Sequence, residues 1–259
     1  EYLKHITKPL AVRSSGILED SISYPFSGVY PTFLVPNSHP DLEQRLDQLM
    51  DAIRLVFVSV FSPEAQGYLE SISFPFEEER MAVVIQELVG NRYEDHFYPH
   101  FSGVAQSYNY YPFSRMKPED GIATMALGLG KHVCEGGKSH RFSPRLPRLD
   151  IDKVEQRVDG SQKHFWALDM TRTDFSEMYD EEATLERLEV SVAESHGTME
   201  FLASVWDVQN QRLEPGLFSY GPRVVDFAQI LKYDLFPLPK SITTILETFT
   251  HAMGSPVEV

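Results

Sequence analysis

A single cysteine, Cys134, leaves the chain no partner for an internal disulfide. A disulfide framework is therefore excluded, and a reducing, cytoplasmic setting is expected. Nothing around Cys134 suggests a nucleophile, so it is expected as a small buried residue. Long apolar runs are missing too. The longest strongly apolar one, "LVFVSVF" (55–61), is far too short to cross a bilayer. The opening "EYLKHITKPL" lacks the basic-then-apolar pattern of a secretory leader. It also lacks an initiator methionine, and "GSPVEV" ends the chain on a strand-like note, so both ends read as cut. Positive charge is scarce: 23 basic side chains face 38 acidic ones, a net charge of −15. That excludes a broad duplex-binding surface. It still allows a basic pocket for a small anion. The sequence holds no G-x-x-x-x-G-K-[ST], no G-x-G-x-x-G, no G-x-S-x-G and no paired C-x-x-C.

What is present is a core. At 42% apolar and 12% aromatic the chain is globular, and 259 residues suffice for one large domain or two smaller ones sharing a cleft. Residues 10–13 read as a short strand with "SSGILED" as its turn. "PFSGVYPTFLVPN" (25–37) places a glycine before an aromatic-rich strand. Leu42, Leu46, Leu49, Ile53, Val56, Phe57 and Val60 repeat at helical spacing after a Ser38/Asp41 capping pattern, and the helix is expected to stop near Pro63. A second helix is expected at 63–71. "RMAVVIQELVG" (80–90) reads as a buried strand, with "FSGVAQSYNYY" (101–111) as its hairpin partner and "NRYEDHFYPH" as the loop between them. His96 and His100 in that loop are read as surface residues, because the intervening proline defeats a helical ligand pair. "GIATMALGLGKHVCEGGK" (121–138) reads as strand, glycine turn, short helix and glycine turn. Residues 139–178 are expected to be irregular apart from the strand-like "KHFWALDM" (163–170). An acidic helix is expected at 180–195, and a last helix is expected to end at Gly254. Hairpins mixed with scattered helices predict an α+β fold.

Four features share a theme. Arg13 follows a strand. Gly28 precedes one that carries Thr32. "VVIQELV" ends another, and "LGLGK" brings Lys131 to the end of a fourth. Glycines and cations at strand ends can surround phosphates with N–H groups and positive charge. Each feature taken alone also fits an ordinary turn or a solvated charge.

The ordered motifs "AVRSSGILEDS", "PFSGVYPTFLVPN", "MAVVIQELVG", "FSGVAQSYN" and "IATMALGLGKHVCEGG" resemble the nucleotide-binding domain of the phosphoenolpyruvate synthase and pyruvate, phosphate dikinase family. The resemblance covers 10–138 well and 139–238 weakly. It returns in 239–259, which resembles a helix and the start of the family's last active-site strand. It implies an ATP-grasp fold of mixed and antiparallel sheets with helices, truncated here at both ends. It implies ATP as ligand with Mg2+. Arg13 would contact the phosphates in a catalytic role, Gly28 would belong to the glycine loop, and Thr32 would lie at the same site. Gln86, Glu87, Leu88 and Val89 would form the hinge strand whose backbone reads adenine. Ser102 and Gly103 match a strand beside the cleft. The implied partners are a swivelling phosphohistidine domain and a barrel domain that converts pyruvate to phosphoenolpyruvate, with no nucleic acid and no membrane.

The sequence also departs from the family. "GLGK" stands where the family often has "GLGE", so Lys131 reverses a charge at the cleft edge. The glycine-rich segment with a nucleotide-contacting lysine that precedes "VRSS" is missing. The metal-binding glutamate is expected just beyond Val259, and Glu258 is expected to point to the other face of its strand. The segment by itself is therefore expected to have little catalytic competence. Two other readings stay open: an acceptor other than pyruvate, such as a glucan or an antibiotic, and a non-catalytic module. In the latter, the eight carboxylates of 177–200, set against the single Arg187, would form a docking surface for a basic neighbour.

Overall fold

Residues 1–19, 28–75, 78–172 and 180–259 are described by the computed structural model. In chain order they form α1 (Tyr2–His5), β1 (Leu10–Gly16), β2 (Phe33–Val35), α2 (Leu42–Ser59), α3 (Pro63–Ser71), β3 (Met81–Glu87), β4 (Asn91–Tyr93), β5 (His96–Tyr98), β6 (Phe101–Gln106) and β7 (Ile122–Leu127). They continue through α4 (Lys131–Cys134), β8 (His140–Phe142), α5 (Val154–Gly160), β9 (His164–Asp169), β10 (Leu185–Glu189), α6 (Val190–Ser195), β11 (Ala203–Asp207), β12 (Arg212–Pro215), β13 (Arg223–Val225), α7 (Ala228–Leu231) and α8 (Leu238–Met253). The predicted α+β class holds. No helix among the described residues is long and apolar enough to cross a membrane.

The chain divides into two compact units, 1–98 with 167–186 and 99–166 with 187–259. In the first, β1 is the centre of an antiparallel sheet ordered β2-β1-β3. Its pairs include Val12 with Phe33 and Arg13 with Val84. Alternation sends Leu10, Val12, Phe33, Val35, Val83 and Ile85 to one face, where they meet Leu49, Ala52 and Val56 of α2. The predicted helices at 42–60 and 63–71 both form. Asp41, rather than Ser38, caps α2, its carboxylate accepting from Glu43 N–H at 2.9 Å. Ser38 instead donates to Met170 O. Ser62 caps α3 with Pro63 in its first turn.

Four expectations about strands are corrected. β1 runs through Gly16, so Arg13 sits in mid-strand and not at its end. The strand at 81–87 forms, but it is half-exposed because it is the sheet's edge. "NRYEDHFYPH" is no loop: β4 and β5 form a hairpin with Glu94 in a left-handed turn conformation, φ 53°. β6 therefore pairs with β7, not with β3.

In the second unit β6, β7 and β8 form one sheet. Val259 lies alongside β6, exchanging N–H···O bonds with Ala105 at 2.8 and 2.9 Å. β11 pairs with β12 and β13 to form another. The stretch predicted as irregular thus contains β8 and α5 besides the expected β9. The acidic helix predicted at 180–195 is instead the strand β10 followed by the short α6. The helix α8 ends as predicted, at Gly254 with φ 68°. Cys134 is exposed, against the expectation of burial. It closes the one-turn α4, whose residues reach no core.

Candidate functional site

The face of the β2-β1-β3 sheet turned away from α2 carries Ala11, Arg13 and Ser15 on its central strand. Their cross-strand partners are Gln86, Val84 and Ala82 on β3, and Leu34 opposes Ala11 on β2. Continuing the β1–β2 register by one residue sets Thr32 opposite Arg13. Thr32, Arg13 and Val84 therefore form a row across the sheet, with neighbours about 4.8 Å apart, and Gln86 is diagonal to Arg13. Arg13, Thr32 and Gln86 are all exposed.

The Arg13 side chain makes no hydrogen bond or ion pair with any described residue. The carboxylate nearest in sequence, Glu19, is occupied elsewhere. It accepts from Ser14 Oγ at 2.7 Å and from Gly16 N–H at 2.6 Å. Ser14 alternates to the face opposite Arg13, so Glu19 closes the turn without neutralising the guanidinium. A second carboxylate, Glu79, accepts from Ile17 N–H at 3.1 Å and is only 8% exposed. Burial raises the Glu79 pKa, and the same desolvation, with the charges of Glu79 and Glu19, raises that of Tyr30. A Cβ on Gly16 would sit 2.7 Å from Glu79 Oε1 and would have to push that carboxylate from its place under Ile17 N–H. This bracing was not visible in the sequence, since Glu79 lies more than sixty residues from the turn it supports.

The hinge segment has a polarity set by register. Leu88 N–H donates to Pro9 O at 2.8 Å. In an antiparallel ladder, residues 84, 86 and 88 then direct their backbone groups toward β1, and 85, 87 and 89 direct theirs away from it. Since β3 is an edge strand among the described residues, Glu87 and Val89 present backbone groups along an edge that no described strand covers. The Glu87 side chain lies on the α2 side, 3.9 Å from Lys8 Nζ.

Gly28 is not brought to this face. Its φ of 84° explains the glycine. It lines a groove with Val29, Phe33, Leu55, Phe61 and Asp180, on the helix side of the sheet. The rest of the predicted glycine loop, 20–27, lies outside the described residues.

The second unit holds the remaining motif residues in structural roles. Ser102 Oγ donates to Gly128 O at 2.7 Å. Gly103 permits a close approach, since a Cβ there would be 2.7 Å from Thr124 O. Gly128, with φ 81°, lets Leu129 N–H reach Trp166 O at 2.9 Å. Lys131 pairs with Glu135 one helical turn on and lies 5.5 Å from the centre of the Trp166 ring. Its charge is thus already engaged. Glu258 accepts from Gln106 Nε2. Among the described residues no three histidine, cysteine or carboxylate side chains converge as a metal site, so no step is assigned to Mg2+.

The family model described as pyruvate phosphate dikinase, AMP/ATP-binding domain, matches residues 1–259. A phosphoenolpyruvate synthase of Aeropyrum pernix is 26% identical over 155 residues, a match covering 60% of this chain and 16% of that protein.

Proposed function

The chain belongs to the pyruvate phosphate dikinase AMP/ATP-binding domain family, and from that membership we propose that its first unit holds ATP against the open face of the β2-β1-β3 sheet. In this reading Arg13 takes the phosphates, with Thr32 beside it. The edge of β3 takes the base. Adenine offers an amino donor next to a ring-nitrogen acceptor. The outward Glu87 C=O and Val89 N–H are the complementary pair, with Leu88 fixed to Pro9 between them. Gln86 projects onto the Arg13 face.

One observation carries this reading: an arginine with no partner among the described residues, on an exposed sheet face, in a chain with a large surplus of carboxylates. A guanidinium left available in this way suits a polyphosphate, which it can grip by charge-assisted hydrogen bonds. Phosphoryl transfer asks little covalent work of the protein. It requires the phosphates to be held in line and their developing charge neutralised. Arg13 would do both at the β/γ-phosphates.

The reading extends to an ATP-grasp architecture, which the α+β build of two units supports. It also extends to a dikinase-type phosphotransferase in a cytoplasmic setting. There the phosphoryl group would pass from ATP to a histidine nitrogen on a swivelling domain, and then on a barrel domain to pyruvate. The match to a phosphoenolpyruvate synthase supports pyruvate over a glucan or an antibiotic as acceptor. Isothermal titration of the chain with ATP tests the site. The Arg13→Ala variant is expected to bind roughly 10- to 100-fold more weakly. Equal affinity would remove Arg13 from the site.

A further inference from the structure

We propose that the first unit carries a second anion site, on the α2 side of the sheet, for a small phosphate monoester. The groove has a volume of about 480 Å3, within the range of small-molecule pockets. Lys8, His39, Arg45 and Arg92 line it, and none of its eleven lining residues is a carboxylate. That composition stands out in a chain with 38 acidic side chains. Arg45 comes from α2, so the groove is separate from the face that holds Arg13.

The cations are available. Lys8 meets Glu87 only at 3.9 Å and Arg92 meets Asp95 only at 3.7 Å, all four side chains being well exposed, and Arg92 Nε donates to Glu94 O at 2.8 Å, which leaves its Nη atoms for a ligand. Such long, solvated pairs hold their charges weakly. His39 Nδ1 accepts from Asp41 N–H at 3.0 Å, which leaves Nε2 as the ring donor.

The floor of the groove adds a second, independent sign. Asn37 is 2% exposed and sits at φ 53°. Its Nδ2 donates to Ile6 O at 3.1 Å and Lys8 O at 2.9 Å, which identifies Oδ1 as the remaining acceptor. Among the described residues Asn37 Oδ1 has no hydrogen-bond partner, and neither does Arg45 Nε. The Arg45 Nη atoms are already bound to Leu3 O and Ile6 O. Buried polar atoms without partners are rare in native proteins, and two of them in one cation-lined groove point to a ligand that satisfies both. The matching chemistry is a dianionic phosphate for Lys8, Arg92 and Arg45 Nε–H, a hydroxyl donor for Asn37 Oδ1, and an apolar body against Phe97, Met170 and Pro40.

Calorimetric titration of the 259-residue chain with phenyl phosphate and with inorganic phosphate tests this. Phenyl phosphate is expected to saturate. Lys8→Met and Arg92→Ala, both at exposed positions, are each expected to weaken it about tenfold. Arg13→Ala is expected to leave it unchanged, which separates this site from the proposed nucleotide site. Inorganic phosphate binding as tightly as phenyl phosphate would overturn the monoester assignment. No saturable binding of either probe, or a loss confined to Arg13→Ala, would overturn the site and leave the ATP reading intact.

Discussion

Two arginines in strands, one in each unit, have opposite fates. Arg223 opens β13 and uses its whole fork. Nε and Nη2 reach Glu194 at 2.6–3.1 Å, and Nη1 reaches Ser219 O and Gly221 O at 3.0 and 3.2 Å. Arg13, in the middle of β1, has no partner among the described residues. Glu19 and Glu79 lie close by in the fold, but backbone N–H groups and Ser14 claim them. The difference teaches where to look for function. A satisfied guanidinium is architecture. One kept apart from its nearest carboxylates by strand alternation is available to a ligand.

The comparison can be broken most forcefully at Arg223. Arg223→Ala is expected to cost about 1.5–3 kcal/mol in urea unfolding, because Glu194 and two carbonyls lose their donors. ATP affinity measured below the transition should not move. At Gly16 the added methyl of Gly16→Ala collides with the buried Glu79. It is expected to destabilise the first unit by about 1–3 kcal/mol, read from the same unfolding curve. Arg13→Ala should change stability by less than about 0.5 kcal/mol while weakening ATP. A loss of stability as large as that at Arg223 would mean that Arg13 is structural after all.

The smallest effect sharpens the contrast through pH. The Glu79 pKa is raised from 4.5 by burial, so the folded state holds that proton more tightly. Its contribution therefore worsens as pH rises from 4.5 through the elevated pKa. The Glu194 pKa is lowered from 4.5 by its hydrogen bonds to Arg223. Its contribution is complete above 4.5 and is lost as pH falls through the depressed pKa. Stability measured against pH should therefore lose its decline above 4.5 in Glu79→Gln and its acid loss in Glu194→Gln. A profile that Glu79→Gln leaves unchanged would place that carboxyl in contact with solvent.

Much of the helical part was legible. Asp41 and Ser62 are capping residues in front of apolar repeats, and Gly254 supplies the left-handed end of α8. The strand pairing was much less so. The β4–β5 turn puts Glu94, a residue with no left-handed preference, where Asn or Gly would have signalled a hairpin. Leu185 and Leu188, three residues apart, fit a helical stripe, although in the strand they form they point to opposite faces. Hydrogen bonds from Asp169 N–H to Thr184 O and from Val190 N–H to Lys163 O hold that stretch extended. Of the residues that the motifs single out, Arg13 and Gln86 share a face of the sheet. The groove at Lys8 and Arg92 was not, because its residues are scattered over 7–170 and carry no spacing signal.

The sequence by itself determined the helices at 42–60 and 63–71 and the glycine end of α8, the cation of the "VRSS" motif and the family to which its motifs point, because caps, periodicity and motif order are local or linear properties. Only the tertiary structure decided that β3 pairs with β1, that Glu19 and Glu79 turn away from Arg13, and that the backbone of 87 and 89 faces an edge that no described strand covers. Those outcomes depend on register between segments some seventy residues apart, where a shift of one residue would exchange the two faces of the sheet.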